Sequence, residues 1–189
     1  MRRLTVFNNI SLDGYFTDRR GDMTWAHKSK PDPEWDKFSA ENAQSSEDGA
    51  LLFGRKTYEL MVAFWPTPAA AQQMPEVADG MNRLAKFVVS RSLDKVTWNN
   101  TTLIKGDLAA EVRKLKAGPG SSIVVMGSGT IVAQLAKERL IDQYTFVVTP
   151  NVLGAGRTLF DGLEVPFTLT RTSERTFRNG NVVVTYEPQ

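Results

Sequence analysis

Ser122-Ile123-Val124-Val125-Met126-Gly127-Ser128-Gly129-Thr130-Ile131-Val132-Ala133-Gln134-Leu135-Ala136 is the stretch that sets the fold class. Ser122 to Gly127 is a short, nearly unbroken apolar run, the pattern of a strand covered on both faces. Beyond the glycine turn, Ile131, Val132, Leu135 and Ala136 fall on one face of a helix. Strand, glycine turn and helix together make one unit of a parallel, helix-covered sheet.

Reading outward, Leu4 to Ile10 is a first strand with Leu4, Val6 and Ile10 on one face and Thr5, Phe7 and Asn9 on the other, while Ala50 to Phe53, Lys86 to Ser90, Thr101 to Lys105 and Tyr144 to Thr149 have the same buried-strand character. Helical periodicity separates several of them. Leu108, Val112 and Leu115 follow a capping Asp107 and stop at Gly118-Pro119; Tyr58, Met61, Val62 and Trp65 repeat until Pro66. Asp32, Glu34, Asp36 and Glu41 belong to an early helix opened by Pro31 and Pro33, where acids suit the macrodipole as solvated caps. Pro66 to Pro75 reads as a surface loop, and the Ser90 to Thr101 connection is short for a parallel crossover of about a dozen residues. After Thr149 the grammar changes: Phe167 to Phe177 and Val182 to Glu187 flank Asn179-Gly180, a strong hairpin signal. The expectation is an α/β fold in a single domain over residues 1–189. Its sheet has eight strands, mostly parallel, with helices on both faces and a C-terminal antiparallel hairpin.

Composition narrows the function. The chain has 189 residues, 23 Lys+Arg against 21 Asp+Glu, one histidine and no cysteine. Disulfides, thiolate metal sites and a cysteine nucleophile are excluded together, and His27 alone builds no histidine metal site, so no metal is expected. No basic stripe points to nucleic acid. The longest apolar run, Leu60 to Trp65, is far short of a membrane span of about 20 residues. Arg2 and Arg3 precede only a brief apolar run, Leu4 to Phe7, so a cytoplasmic location is expected. His27 reads as exposed.

Three strand ends carry the residues of a binding site. Gly54, Arg55, Lys56 and Thr57 place a glycine, two cations and a hydroxyl where a strand enters a helix, a junction whose amides and dipole favour phosphate. Gly127, Ser128, Gly129 and Thr130 form a second such junction, with two glycines that would let a ligand approach the backbone. It is not the Rossmann fingerprint, since the third small position falls on Val132 and no acid follows about 20 residues later. Ser90 and Arg91 end a third strand. In an open α/β sheet ligands sit outside the carboxyl ends of strands, so the three ends can meet on one extended cofactor. Ser11-Leu12-Asp13-Gly14-Tyr15, continuing through Thr17 to Asp22, reads as a loop that covers the site, and Pro150 to Phe160, with Gly154, Gly156 and Arg157, as a second flexible segment.

These segments together, with Lys86-Phe87-Val88-Val89-Ser90-Arg91 and Pro150-Asn151-Val152-Leu153-Gly154-Ala155-Gly156-Arg157, resemble the dihydrofolate reductase superfamily. The closer likeness is to its bacterial branch related to the C-terminal reductase domain of the riboflavin biosynthesis enzyme. The resemblance spans nearly the whole chain and implies a dihydrofolate reductase-like sheet with NADPH as hydride donor. Carried over by position, Gly54, Arg55, Lys56 and Thr57 would hold the adenosine phosphate and pyrophosphate, and Ser90 and Arg91 would border the adenine ribose. Gly127, Ser128, Gly129 and Thr130 would cradle the pyrophosphate from the other side. Asn8, Ile10 and the loop through Asp13 and Gly14 would flank the nicotinamide. Arg55, Lys56 and Arg91 favour a 2′-phosphate, hence NADP over NAD.

The departures concern the substrate. Dihydrofolate reductases have a carboxylate about five residues beyond a loop tryptophan; here Lys30 stands five beyond Trp25, and Asp32 is out of register. The riboflavin-pathway relatives carry a lysine after the Asp-Gly pair, where this chain has Tyr15. The implied activity is NADPH-dependent reduction of a C=N or C=O bond in a small, heterocyclic, pterin- or pyrimidine-like compound. The proton would come from Asp13, Asp32 or water, with Asp13 favoured by its place in the loop. The alternative is a catalytically silent nucleotide-binding or regulatory domain of the same fold. A hydrolase lacks its nucleophile, base and orienter. A homodimer is a further expectation of the resemblance.

Overall fold

The computed structural model describes residues 1–27, 30–44 and 49–189. In chain order the strands and helices are β1 (Arg3–Ser11), β2 (Thr17–Asp18), α1 (Pro33–Gln44), β3 (Ala50–Gly54), α2 (Arg55–Phe64), α3 (Pro68–Gln73), α4 (Pro75–Arg83), β4 (Ala85–Val89) and β5 (Thr101–Ile104). They continue as α5 (Leu108–Ala117), β6 (Ser122–Met126), α6 (Gly129–Lys137), β7 (Gln143–Thr149), β8 (Gly156–Arg157), β9 (Leu169–Thr176) and β10 (Val182–Pro188). Thr24–His27 forms a short 3-10 turn on which His27 is exposed, as expected.

Eight strands form one sheet in the order β5-β4-β3-β6-β1-β7-β10-β9. From β5 to β7 every pairing is parallel; β7–β10 and β10–β9 are antiparallel. The Asn179-Gly180 hairpin is present, with Gly180 at φ +91°. Consecutive residues of the central strands face opposite layers, which is why their sequences are almost continuously apolar. Leu4, Val6, Leu52, Ile123, Val125 and Tyr144 pack with Val112 of α5 and with Ile131, Val132 and Leu135 of α6. Each such side chain contributes about 1.5–3 kcal/mol when fully buried. On the other face, Leu51, Phe53 and Val88 pack with Tyr58 of α2 and Met81 of α4, while Phe7, Val147 and Val183 meet Trp35 and Phe38 of α1. Helices therefore cover both faces.

Three expectations need correction. Pro66 to Pro75 is not a loop: Pro68 and Pro75 each open a helix at a position where a missing N–H costs nothing, and the Thr67 hydroxyl accepts from Ala70 N at 3.3 Å. Thr17 to Asp22 is not wholly irregular, because Thr17 and Asp18 pair with Arg157 and Gly156 in a separate two-stranded sheet. Asp32 caps α1 as expected but is buried, not solvated. Its oxygens accept from Glu34 N at 3.0 Å and from Asn179 N at 3.0 Å, fastening α1 to the distant hairpin turn.

The short connection from β4 to β5 holds without a helix. The Tyr58 hydroxyl accepts from Thr97 N at 2.8 Å and Trp98 N at 3.2 Å, and buried Trp98 stacks on Phe53 with centroids 6.2 Å apart. A plugging side chain replaces the usual crossover helix.

Candidate cofactor-binding site

The strand order puts β3, β6 and β1 side by side, so Gly54, Gly127 and the loop after Ser11 open on one edge of the sheet. Ser128 joins the first two. It occupies the left-handed region, φ 56° and ψ 46°, and its Oγ accepts from Gly54 N at 2.8 Å while donating to Met126 O at 3.0 Å. Its own N–H donates to Thr57 Oγ1 at 3.1 Å, and the two hydroxyl oxygens lie 3.0 Å apart. Thr57 is thus a staple between the β3–α2 and β6–α6 turns. The consequence is geometric: the first turns of α2 and α6 are locked next to each other, and both present their positive ends at the same sheet edge.

The glycines also serve the protein's own packing. Gly127 has φ +57°, and a Cβ there would stand 2.9 Å from Thr57 Oγ1. A Cβ on Gly129 would overlap the ring of Phe16. Both glycines admit the protein's own side chains against the turn, so close approach is required by internal packing. Phe16, which sequence reasoning did not single out, is buried and joins the main core.

Beside this turn sits Asn8, buried on β1. Its Nδ2 donates to Gly127 O at 3.2 Å, and its Oδ1 has no partner among the described residues. A buried acceptor without a donor is costly unless a ligand supplies one. Ile10, half-buried on the same strand, packs on the core. The register Gly54↔Val89 brings Ser90 and Arg91 just past the end of β3. The Ser90 hydroxyl is occupied in its own turn, accepting from Leu93 N at 3.0 Å, whereas Arg91 is exposed. Lys56 is exposed, and Arg55 pairs with Glu59 at 3.2 Å with both side chains nearly half exposed, a contact of little energy that a phosphate could displace.

Residues 2–183 match the RibD C-terminal domain family. The chain belongs to that family. Uncharacterized protein YyaP of Bacillus subtilis (strain 168) is 26% identical over 185 residues, covering 98% of this chain and 94% of that protein. A crystal structure from Shewanella sp. PV-4, of a protein named for riboflavin biosynthesis, superposes with TM-score 0.78 at 25% identity over 99% of both chains. Dihydrofolate reductase of Enterococcus faecalis, complexed with NADP(H), superposes with TM-score 0.65 at 13% identity, covering 99% of this chain and 96% of its own. The dihydrofolate reductase-like fold is therefore established.

In this RibD-family chain the loops at the sheet edge form one unit. The Asp13 carboxylate accepts from the Ser11 hydroxyl at 2.6 Å, Leu153 N at 3.1 Å and Gly154 N at 2.7 Å. Leu12 N donates to Asn151 O at 2.8 Å, and Phe16 N to Arg157 O at 2.9 Å. The hydrogen bond from Ser11, with those from the two backbone amides, holds the Asp13 carboxyl below its ordinary range. Asp13 is therefore an ionised tie between two loops. A carboxylate held in that state is a poor proton donor, and this bears directly on the role expected of it. Gly14 shapes the same turn with φ +87°. For Asp32, burial raises the pKa, but hydrogen bonds from Asn179, Glu34, Trp35 and Arg178 outweigh it and hold this carboxyl low as well. Asp32 faces the hairpin and α1.

The donor set suits a dinucleotide. Two adjacent helix N-termini and exposed cations offer phosphate contacts, and the unpartnered Asn8 Oδ1 offers an acceptor for an amide N–H. Among the described residues no cluster of potential metal ligands occurs, and no helix is long and apolar enough to cross a membrane.

Proposed function

We propose that this chain is an NADPH-dependent reductase that delivers hydride to a polarised C=N or C=O bond of a small heterocyclic compound. The observation that carries the reading is the pair of helix N-termini bound together through Ser128, Gly54 and Thr57, with an unsatisfied buried acceptor beside them. The dihydronicotinamide supplies the hydride when bound.

The chain's own residues bind and orient. Arg55, Lys56 and the first turn of α2 would hold the adenosine end, with Arg91 and Ser90 at its border. Gly129 and Thr130, after the Gly127-Ser128 turn, would offer N–H groups to the pyrophosphate. Asn8 Oδ1 would accept from the carboxamide NH₂, fixing which face of the ring meets the substrate, with Ile10 and Gly14 alongside. Positioning of this kind supplies most of the rate enhancement available to a reductase without a free acid. Asp13 acts by holding the two loops closed, and the proton comes from water. Tyr15, in place of a lysine after Asp13-Gly14, and Lys30, five beyond Trp25, argue for a substrate other than the phosphoribosylamino-pyrimidine or folate.

Titration with NADPH and NADH, followed by turnover with pterins, pyrimidines, quinones and imines, tests this reading. Tighter binding of NADPH and oxidation by at least one panel member are expected. Binding without oxidation by any member would select the silent nucleotide-binding domain instead. No binding of either coenzyme would refute both.

A further inference from the structure

Arg157 lies in the two-loop unit and reaches across to α6. Its backbone is fixed, because it pairs with Thr17 in the small sheet and its carbonyl accepts from Phe16 N at 2.9 Å. Its side chain is exposed, and its Nη2 donates to the Thr130 hydroxyl at 3.2 Å. Arg3, Arg55 and Arg113 each pair with a glutamate, whereas among the described residues Arg157 donates to a neutral oxygen. A guanidinium carries five donors in a rigid fork, so most of its capacity here is unused.

The place it reaches is the first turn of α6, where Gly129 and Thr130 follow the Ser128 cap and Asn8 Oδ1 lies unpartnered nearby. An anion held by those amides would stand close to the atom that Arg157 already touches. Exchange of one hydrogen bond to an uncharged oxygen for bidentate ones to an anion favours the anion. We propose that Arg157 is a pyrophosphate ligand carried on the paired loops, moving from the Thr130 hydroxyl to a phosphate oxygen when a dinucleotide binds. This rests on the NADPH reading above. It adds a coupling: the contact would fasten both loops, already joined to each other through Asp13, to the bound dinucleotide.

The test compares wild type, Arg157→Met and Arg157→Lys in titrations with NADPH and with inorganic pyrophosphate. Amide exchange of Phe16 and Asp18 is followed with and without NADPH. Arg157→Met should weaken both ligands by about 10- to 100-fold, and Arg157→Lys by less. NADPH should slow amide exchange in wild type more than in Arg157→Met, while exchange without ligand stays similar. Wild-type affinity of Arg157→Met for both ligands overturns the proposal, as does weakened NADPH binding with unchanged pyrophosphate binding. Should Arg157→Met fold poorly, the same criteria apply to Arg157→Gln, which also removes the charge. If wild type binds pyrophosphate through Arg157 but no NADPH, the anion site stands and the coenzyme reading fails.

Discussion

Replacing Gly127 with alanine tests the staple between the two turns. Two costs follow from the geometry. A non-glycine residue at φ +57° costs about 1–2 kcal/mol, and the new Cβ, 2.9 Å from Thr57 Oγ1 and 3.0 Å from its Cγ2, overpacks the turn by about 1–3 kcal/mol more. Gly127→Ala should therefore destabilise by about 2–5 kcal/mol. Thr57→Ala removes the acceptor of Ser128 N and a hydroxyl neighbour, costing about 1–3 kcal/mol. In the double variant the close contacts are gone and the nearest remaining one, to Thr57 Cβ, is an ordinary 3.6 Å. Only the backbone term of Gly127→Ala then survives. The double variant should be more stable than the sum of the singles implies by about 1–3 kcal/mol. Urea denaturation of all four proteins, with m-values compared, measures this. Additivity within about 0.5 kcal/mol would refute the idea that Thr57 and Gly127 are packed as one turn.

Lys86 is buried, donates to Leu84 O at 2.6 Å and Asn82 O at 3.0 Å, and stands over the Trp98 ring with no carboxylate partner among the described residues; burial lowers its pKa from 10.5 to about 8. The folded protein releases this proton near pH 8 and the unfolded chain near pH 10.5, so between them the unfolded state binds more protons and stability rises with pH. Wild type should gain about 1–3 kcal/mol on Lys86→Met across that window in paired urea titrations; a constant difference would contradict it. For Asp13, whose pKa is lowered by the Ser11 hydroxyl and the Leu153 and Gly154 amides, the stabilising contribution is present above the ordinary carboxylate pKa. It is lost as pH falls through the lowered value. Asp13→Ala should accelerate amide exchange at Leu153 and Gly154 about tenfold at neutral pH, and unchanged protection would show that the loops are held otherwise.

The legible part of the fold rested on local chemistry. Asp107 and Gly118 bound α5, and Asn179-Gly180 turns the last hairpin, because caps and tight turns are written in a few adjacent residues. The helices after Pro66 were hidden because proline both ends a helix and opens one, and only the Thr67 cap distinguishes the two uses. The β2–β8 pair has two residues per strand and shows no periodicity at all. The candidate site was legible as strand ends, since β3 and β6 each run into a glycine and then a helix. What those residues do there was not. Thr57 and Ser128 meet across 71 positions and Asp13 and Leu153 across 140, so their partners are fixed by topology and leave no local mark. Asn8 gives the same lesson, for its missing partner is visible only once β1 lies beside β6.

If the two joined helix ends receive one dinucleotide, crystals soaked with NADPH should show the pyrophosphate between Gly54–Thr57 and Ser128–Thr130, with the carboxamide nitrogen on Asn8 Oδ1. Coenzyme bound at any other edge of the sheet, or crystals that take up none at saturating concentration, would contradict it.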